Sequence, residues 1–154
     1  MHTLALILCS TLAFAQAGSA APKPDFSGTW TLNVAKSDFG KSPAPESMTS
    51  RVEHRDPEVK VHSEVTGAQG SYSSDYTWIT DGRDNVNTIR GNEIRATVIW
   101  NGPALISNAK TTVNGVALRV VDQWTLSEGS KVLTVTRTIV APQGSAEQKY
   151  VYQK

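Results

Sequence analysis

Cysteine is all but missing from this 154-residue chain, which has one, Cys9. No internal disulfide can form, and no thiolate cluster is available for zinc or iron. Histidine is nearly as scarce: of three residues, only His54 and His62 lie beyond position 20. Glu53, Asp56, Glu58 and Glu64 are near them in sequence, yet alternation turns His62 outward and His54 inward, so no third ligand converges and no metal site is expected. Charge of one sign is also lacking. The formal net charge is +1 with 19% charged residues, scattered rather than blocked, which argues against a nucleic-acid partner. There is no nucleophile elbow, no Cys–His pair and no phosphate-cradling glycine loop, so nothing marks an enzyme or a cofactor site.

Apolar residues run together only at the start. Leu4-Ala5-Leu6-Ile7-Leu8-Cys9 opens a stretch that continues to Ala15 and gives way to Gln16-Ala17-Gly18-Ser19-Ala20. An apolar segment followed by small residues reads as a cleaved secretory signal over residues 1–20, although no Lys or Arg precedes it. The run is shorter than the roughly 20 residues that a membrane-spanning helix needs. Cys9 lies inside this leader, after Leu8 rather than the small residue that lipid modification requires. Export would therefore leave residues 21–154 as one thiol-free domain, secreted or periplasmic and without a membrane span. Nothing in the sequence specifies its oligomeric state.

What is present is alternation. In Asp25 to Asn33, Phe26, Gly28, Trp30 and Leu32 share one face while Ser27, Thr29 and Thr31 take the other. Gly28 leaves room for a backbone or a large ring to approach. Ala35 to Phe39 forms at most a brief helical turn, and Pro43 and Pro45 then exclude a strand. That stretch reads as an ordered loop pinned over one barrel end by Phe39. Further strands follow over 48–55, 58–66, 71–80, 85–89, 93–100, 105–112, 116–126, 131–140 and 148–152. Asp81-Gly82, Asn101-Gly102 and Asn114-Gly115 supply type I′ turn residues between neighbours. The expectation is an all-β, up-and-down antiparallel meander barrel of about eight to ten strands, closed so that no edge is exposed.

Gly28-Thr29-Trp30 in the first strand, with Arg137 in a late one, resembles the lipocalin-like (calycin) proteins, including the fatty-acid-binding barrels. The resemblance implies that Arg137 packs over Trp30 and closes one barrel end. Phe26 to Gly40, Glu53 to Pro57 and Trp124 to Glu128 are also similar to a family of small uncharacterised secreted bacterial proteins. The chain departs from the fatty-acid-binding barrels in leaving no room for a two-helix lid. A clear second lipocalin motif and the avidin ligand loop are missing as well.

Two charges fall on apolar faces: Asp122 between Val120 and Trp124, and Arg137 between Val135 and Ile139. A tight loop over Ser127 to Ser130 would pair Trp124 with Leu133 and set Asp122 opposite Val135, diagonal to Arg137. Inward charges must be paired or hydrogen-bonded. Arg137 therefore either covers Trp30 or anchors a ligand steadied by Asp122. Tyr72, Tyr76 and Trp78 share one face of their strand, and Tyr150 and Tyr152 share another; such aromatics line a cavity or fill a small barrel. The candidate ligand-binding set is Trp30, Tyr72, Trp78, Asp122, Arg137, Tyr150 and Tyr152. The function expected is binding of a small apolar or amphipathic molecule, and the alternative is a filled barrel that presents its loops to another protein. If the leader is read correctly, mass measurement of exported protein gives a new N-terminus between Ala15 and Ala20; intact Met1 there overturns it.

Overall fold

A computed structural model describes residues 22–154 as a single ten-stranded antiparallel sheet rolled into a nearly closed up-and-down barrel. The leader lies outside the described residues. In chain order the strands are β1 (Gly28–Leu32), β2 (Ser47–Arg55), β3 (Glu58–Gly67), β4 (Gly70–Ile79) and β5 (Asp84–Ile89), then β6 (Asn92–Asn101), β7 (Ala104–Val113), β8 (Val116–Ser127), β9 (Val132–Ala141) and β10 (Gly144–Gln153). A 3-10 turn at Val34–Lys36, capped by the Asn33 side chain, is the only helical element among the described residues. No helix among them is long and apolar enough to cross a membrane.

The strand alternation survives into the interior. Val59, Val61 and Val65 of β3 are buried, as are Ala96 and Val98 of β6. The hairpin turns are not uniform. Asn114 (φ 50°) and Gly115 (φ 79°) are both left-handed, as a type I′ turn requires. At β6–β7 only Gly102 is left-handed (φ 58°), and Pro103 after it fixes φ near −65°, which makes a type II′ turn instead.

Asp81-Gly82 does not close a hairpin ladder. β4 and β5 are the two edges of the sheet, and the Gly82 N–H donates to the Val98 carbonyl of β6 (3.0 Å). Two asparagine side chains seal the seam in place of a ladder. The Asn87 amide accepts from the Thr77 N–H (2.9 Å) and donates to the Thr77 carbonyl (2.9 Å). One repeat along, Asn85 accepts from the Ile79 N–H (2.6 Å) and donates to the Ile79 carbonyl (3.2 Å). A side-chain amide carries the same donor and acceptor as a peptide group, so each asparagine stands in for a missing strand residue.

β8 and β9 pair two positions away from the register a tight loop would set: Leu126 faces Leu133, Trp124 faces Val135, and Asp122 faces Arg137 directly. The reversal occupies residues 128–131, where Glu128, Gly129 and Ser130 are all left-handed and the Lys131 N–H reaches the Ser127 carbonyl. The loop is as long as expected, four residues, but begins one residue later, with its left-handed run inside it, and that displacement moves the pairing by two.

The core fills the barrel from its closed end. Phe26 and Trp30 are fully buried. The Phe26 ring lies 5.8 Å from Trp124, edge on, and 5.9 Å from both Trp100 and His54. Removing either seam asparagine tests the closure. Asn85→Ala orphans the Ile79 amide and carbonyl, so a loss of about 1–3 kcal/mol is expected in denaturant unfolding. Asn87→Ala should cost less overall but speed hydrogen exchange of the Thr77 amide; unchanged exchange there would mean that the seam is held by something else.

Candidate functional site

Adjacent strands carry Asp122 and Arg137 into the interior at directly opposed positions, in a cross-strand row that runs Ser107, Asp122, Arg137, Gln148 across β7–β10. Arg137 grips the carboxylate with two parallel bonds, Nε to Oδ1 (2.8 Å) and Nη2 to Oδ2 (2.8 Å). This bidentate fork is the strong form of a charge-assisted hydrogen bond. The Asp122 side chain is 8% exposed and that of Arg137 is 36% exposed, so the carboxylate is rooted in the core and the arginine side chain is partly reached by solvent. The Asp122 charge holds the Arg137 pKa above its ordinary value against the opposing effect of burial. The guanidinium carbon also sits 5.3 Å from the Tyr150 ring centroid.

A cavity of about 50 Å³ opens beside the pair, walled by Met48, Ser50, Ser63, Tyr76, Tyr150 and Tyr152 as well as Asp122 and Arg137. Such a space holds a few waters and no large ligand. Burial raises the pKa of all three tyrosines, which keeps their hydroxyls neutral donors. Ser50 and Ser63 bond each other (2.8 Å), and the Tyr152 hydroxyl donates to the Met48 sulfur (3.4 Å). Tyr150 donates to Gln148 Oε1 (2.9 Å), while the Gln148 amide donates to the Phe39 carbonyl (3.1 Å) and the Ser42 hydroxyl (2.9 Å). The loop after the 3-10 turn is thereby tied to β10, and Phe39 packs edge-on against Tyr150 at 5.4 Å.

Four of the residues singled out in the sequence therefore meet at one place: Asp122, Arg137, Tyr150 and Tyr152. Trp30 does not join them. It is fully buried, with its indole N–H on the Phe26 carbonyl (2.8 Å). The cation over its ring is Lys154 (4.8 Å), not Arg137, which is bound to Asp122 instead. Gly28 makes this possible. A Cβ there would meet the Lys154 side chain at 2.6 Å, so the close approach is by an aliphatic stem rather than a ring. Trp78 is buried against Trp124 (5.2 Å) and Tyr76 (4.9 Å) outside the cavity lining. Tyr72 is 40% exposed beneath the Arg90 guanidinium (4.1 Å). Met48, Ser50, Ser63 and Gln148 were not singled out. Alternation from Val52, Val61 and Tyr150 places each on the inner face, but none of them carries the charge or aromaticity that draws notice.

The ten-stranded up-and-down meander is a lipocalin-like barrel fold. No family model and no curated protein matches the sequence. Among solved structures, the chain is similar to secretory abundant heat soluble protein 4 from Ramazzottius varieornatus, with 13% identity, a TM-score of 0.61 and coverage of 88% of this chain and 98% of that one. A second secretory abundant heat soluble protein from the same organism gives a TM-score of 0.56 at 13% identity, covering 88% and 99%. Human cRBP IV gives 0.51 at 16% identity, covering 85% and 98%. At such identities the likeness is one of fold.

The closed end holds a second titratable group. The His54 side chain is 4% exposed and lies 5.8 Å from Trp100; its Nδ1 accepts the Phe26 N–H (3.2 Å), which places the neutral ring's proton on Nε2. That buried N–H has no partner among the described residues. Burial lowers the His54 pKa, with Asp25 and Asp56 opposing. The unfolded chain then binds the proton first, so this contribution to stability is complete above about pH 6.5 and is lost as pH falls below it. Exposed His62, bonded to Asp75 (2.7 Å), has a raised pKa and the opposite sign: its contribution is present below about pH 6.5 and lost as pH rises through the folded value. In a His62→Ala background, the denaturation midpoint is therefore expected to fall between about pH 7 and pH 5. Adding His54→Phe should flatten that slope; a slope that persists would assign it to carboxylates.

Proposed function

We propose that this barrel is an exported carrier or receptor for a small, uncharged amphipathic molecule, taken up at the Arg137 end. One observation supports this reading above the others. Asp122 and Arg137 neutralise each other inside a tyrosine-lined cavity, so the site offers hydrogen bonds without net charge. An anionic head group at the guanidinium would meet the repulsion of the Asp122 carboxylate, whereas a hydroxyl or amide would take a spare N–H without it. Tyr150 and Tyr152 line the same space as neutral side chains, and the Arg137 side chain is partly exposed. Met48 is the adaptable wall, because an unbranched thioether can turn aside to enlarge a cavity.

The volume of about 50 Å³ favours a second reading, in which side chains fill the barrel and its loops or outer walls meet another protein. Calorimetry with long-chain carboxylates and the matching alcohols, on the wild type and on Asp122→Asn/Arg137→Gln, distinguishes the two. The alcohol is expected to bind at least as well as the carboxylate, and the double substitution to weaken it by about 0.5–1.5 kcal/mol, the worth of a hydrogen bond. Preference for the carboxylate would replace the neutral site with an anion anchor. Binding of neither compound would leave the filled barrel.

A further inference from the structure

On the outer wall, one cross-strand row from β5 to β9 reads Val86, Arg95, Lys110, Arg119, Val140. All five are exposed. Three cations thus stand directly opposite one another on three neighbouring strands, about 4.8 Å apart, an arrangement that repels itself in the free protein. Among the described residues, only Arg95 of the three has a carboxylate partner, Glu93 on its own strand (2.8 Å). Arg119 bonds the neutral Asn108 side chain (2.9 Å), and Lys110 is in no ion pair among the described residues. The chain as a whole carries only +1, so this row does not reflect general basicity. It is a local concentration of positive charge that sequence order conceals, since the three residues come from three strands.

We propose that this wall docks on anionic phospholipid surfaces. Charge complementarity calls for an anion, and the row's layout selects the kind. The cations stand in a line across three strands of one sheet wall, which presents a row of positive charge to a flat anionic surface. Valines flank them at both ends, Val86 at 51% and Val140 at 40% exposure. A soluble polyanion gains nothing from exposed apolar side chains, whereas a headgroup layer takes cations at its surface and small apolar groups between them.

Co-sedimentation of the purified protein with vesicles tests this, using phosphatidylcholine alone and an equimolar mixture with phosphatidylglycerol. Binding is expected to the mixed vesicles only, and to weaken with added salt. Arg95→Gln/Lys110→Gln/Arg119→Gln should lower partitioning by about tenfold or more, with Arg51→Gln/Arg55→Gln on β2 leaving it unchanged. Val86→Ser/Val140→Ser should also lower it while preserving the salt dependence. Circular dichroism checks that each variant folds, and Lys110→Gln alone serves should the triple variant not. Equal binding to both vesicles, an equal loss in the β2 control, or no vesicle binding at all would overturn the proposal. So would tight polyphosphate binding that is indifferent to the valine substitutions, which would mark a surface for soluble polyanions.

Discussion

Hiding the Trp30 indole is the constraint on which the closed end depends. The ring has an N–H that must be satisfied and two faces that must be covered. The Phe26 carbonyl takes the N–H, which fixes the chain before β1 across the barrel base. Lys154 covers the ring with its stem and charge, and its path crosses Gly28, where a Cβ would collide. Gly28 itself has a φ of 140°, within reach of glycine and strained for other residues. Phe26, once placed, gathers His54, Trp100 and Trp124 around it. The first strand and the residue after the last one are thus held by one side chain, although β1 and β10 share only two register pairs.

Charge enters the interior at the other end under a different rule. A lone buried ion costs several kcal/mol, but a bidentate pair with one member reaching water is tolerable. Asp122 supplies the buried partner and Arg137 the solvated one. Gln148 continues the polar row and bonds the loop at Phe39 and Ser42, so the same row that holds the pair also ties the covering loop to the barrel. The ion pair and the loop's anchor therefore occupy neighbouring positions of one cross-strand row.

The strands β6–β8 do two jobs because their faces are independent. Inward they contribute Val98, Ser107 and Asp122; outward, within three residues of these on each strand, they set Arg95, Lys110 and Arg119 in line. A period of two allows either face to be specified without disturbing the other. At the seam, by contrast, the two sheet edges meet without a ladder, and Asn85 and Asn87 substitute side-chain amides for it.

The strands and their faces are legible in the order of residues alone. Alternation is local, so Phe26, Trp30, Val59, Val61 and Trp124 could be placed inside, His62 outside, and His54 inside, from neighbours two residues away. It also placed Asp122 and Arg137 on inward faces, where charges must find partners. Which partner each inward group meets depends on how the strands pair. The β8–β9 loop, left-handed at 128–130, starts one residue later than expected, which moves the pairing by two and sets Asp122 opposite Arg137, while Lys154 covers the Trp30 ring. The β4–β5 seam and the outer row of three cations were equally hidden, because both depend on which strands become neighbours. Pairing joins residues distant in the chain, and its register turns on loop conformations that side-chain alternation does not encode.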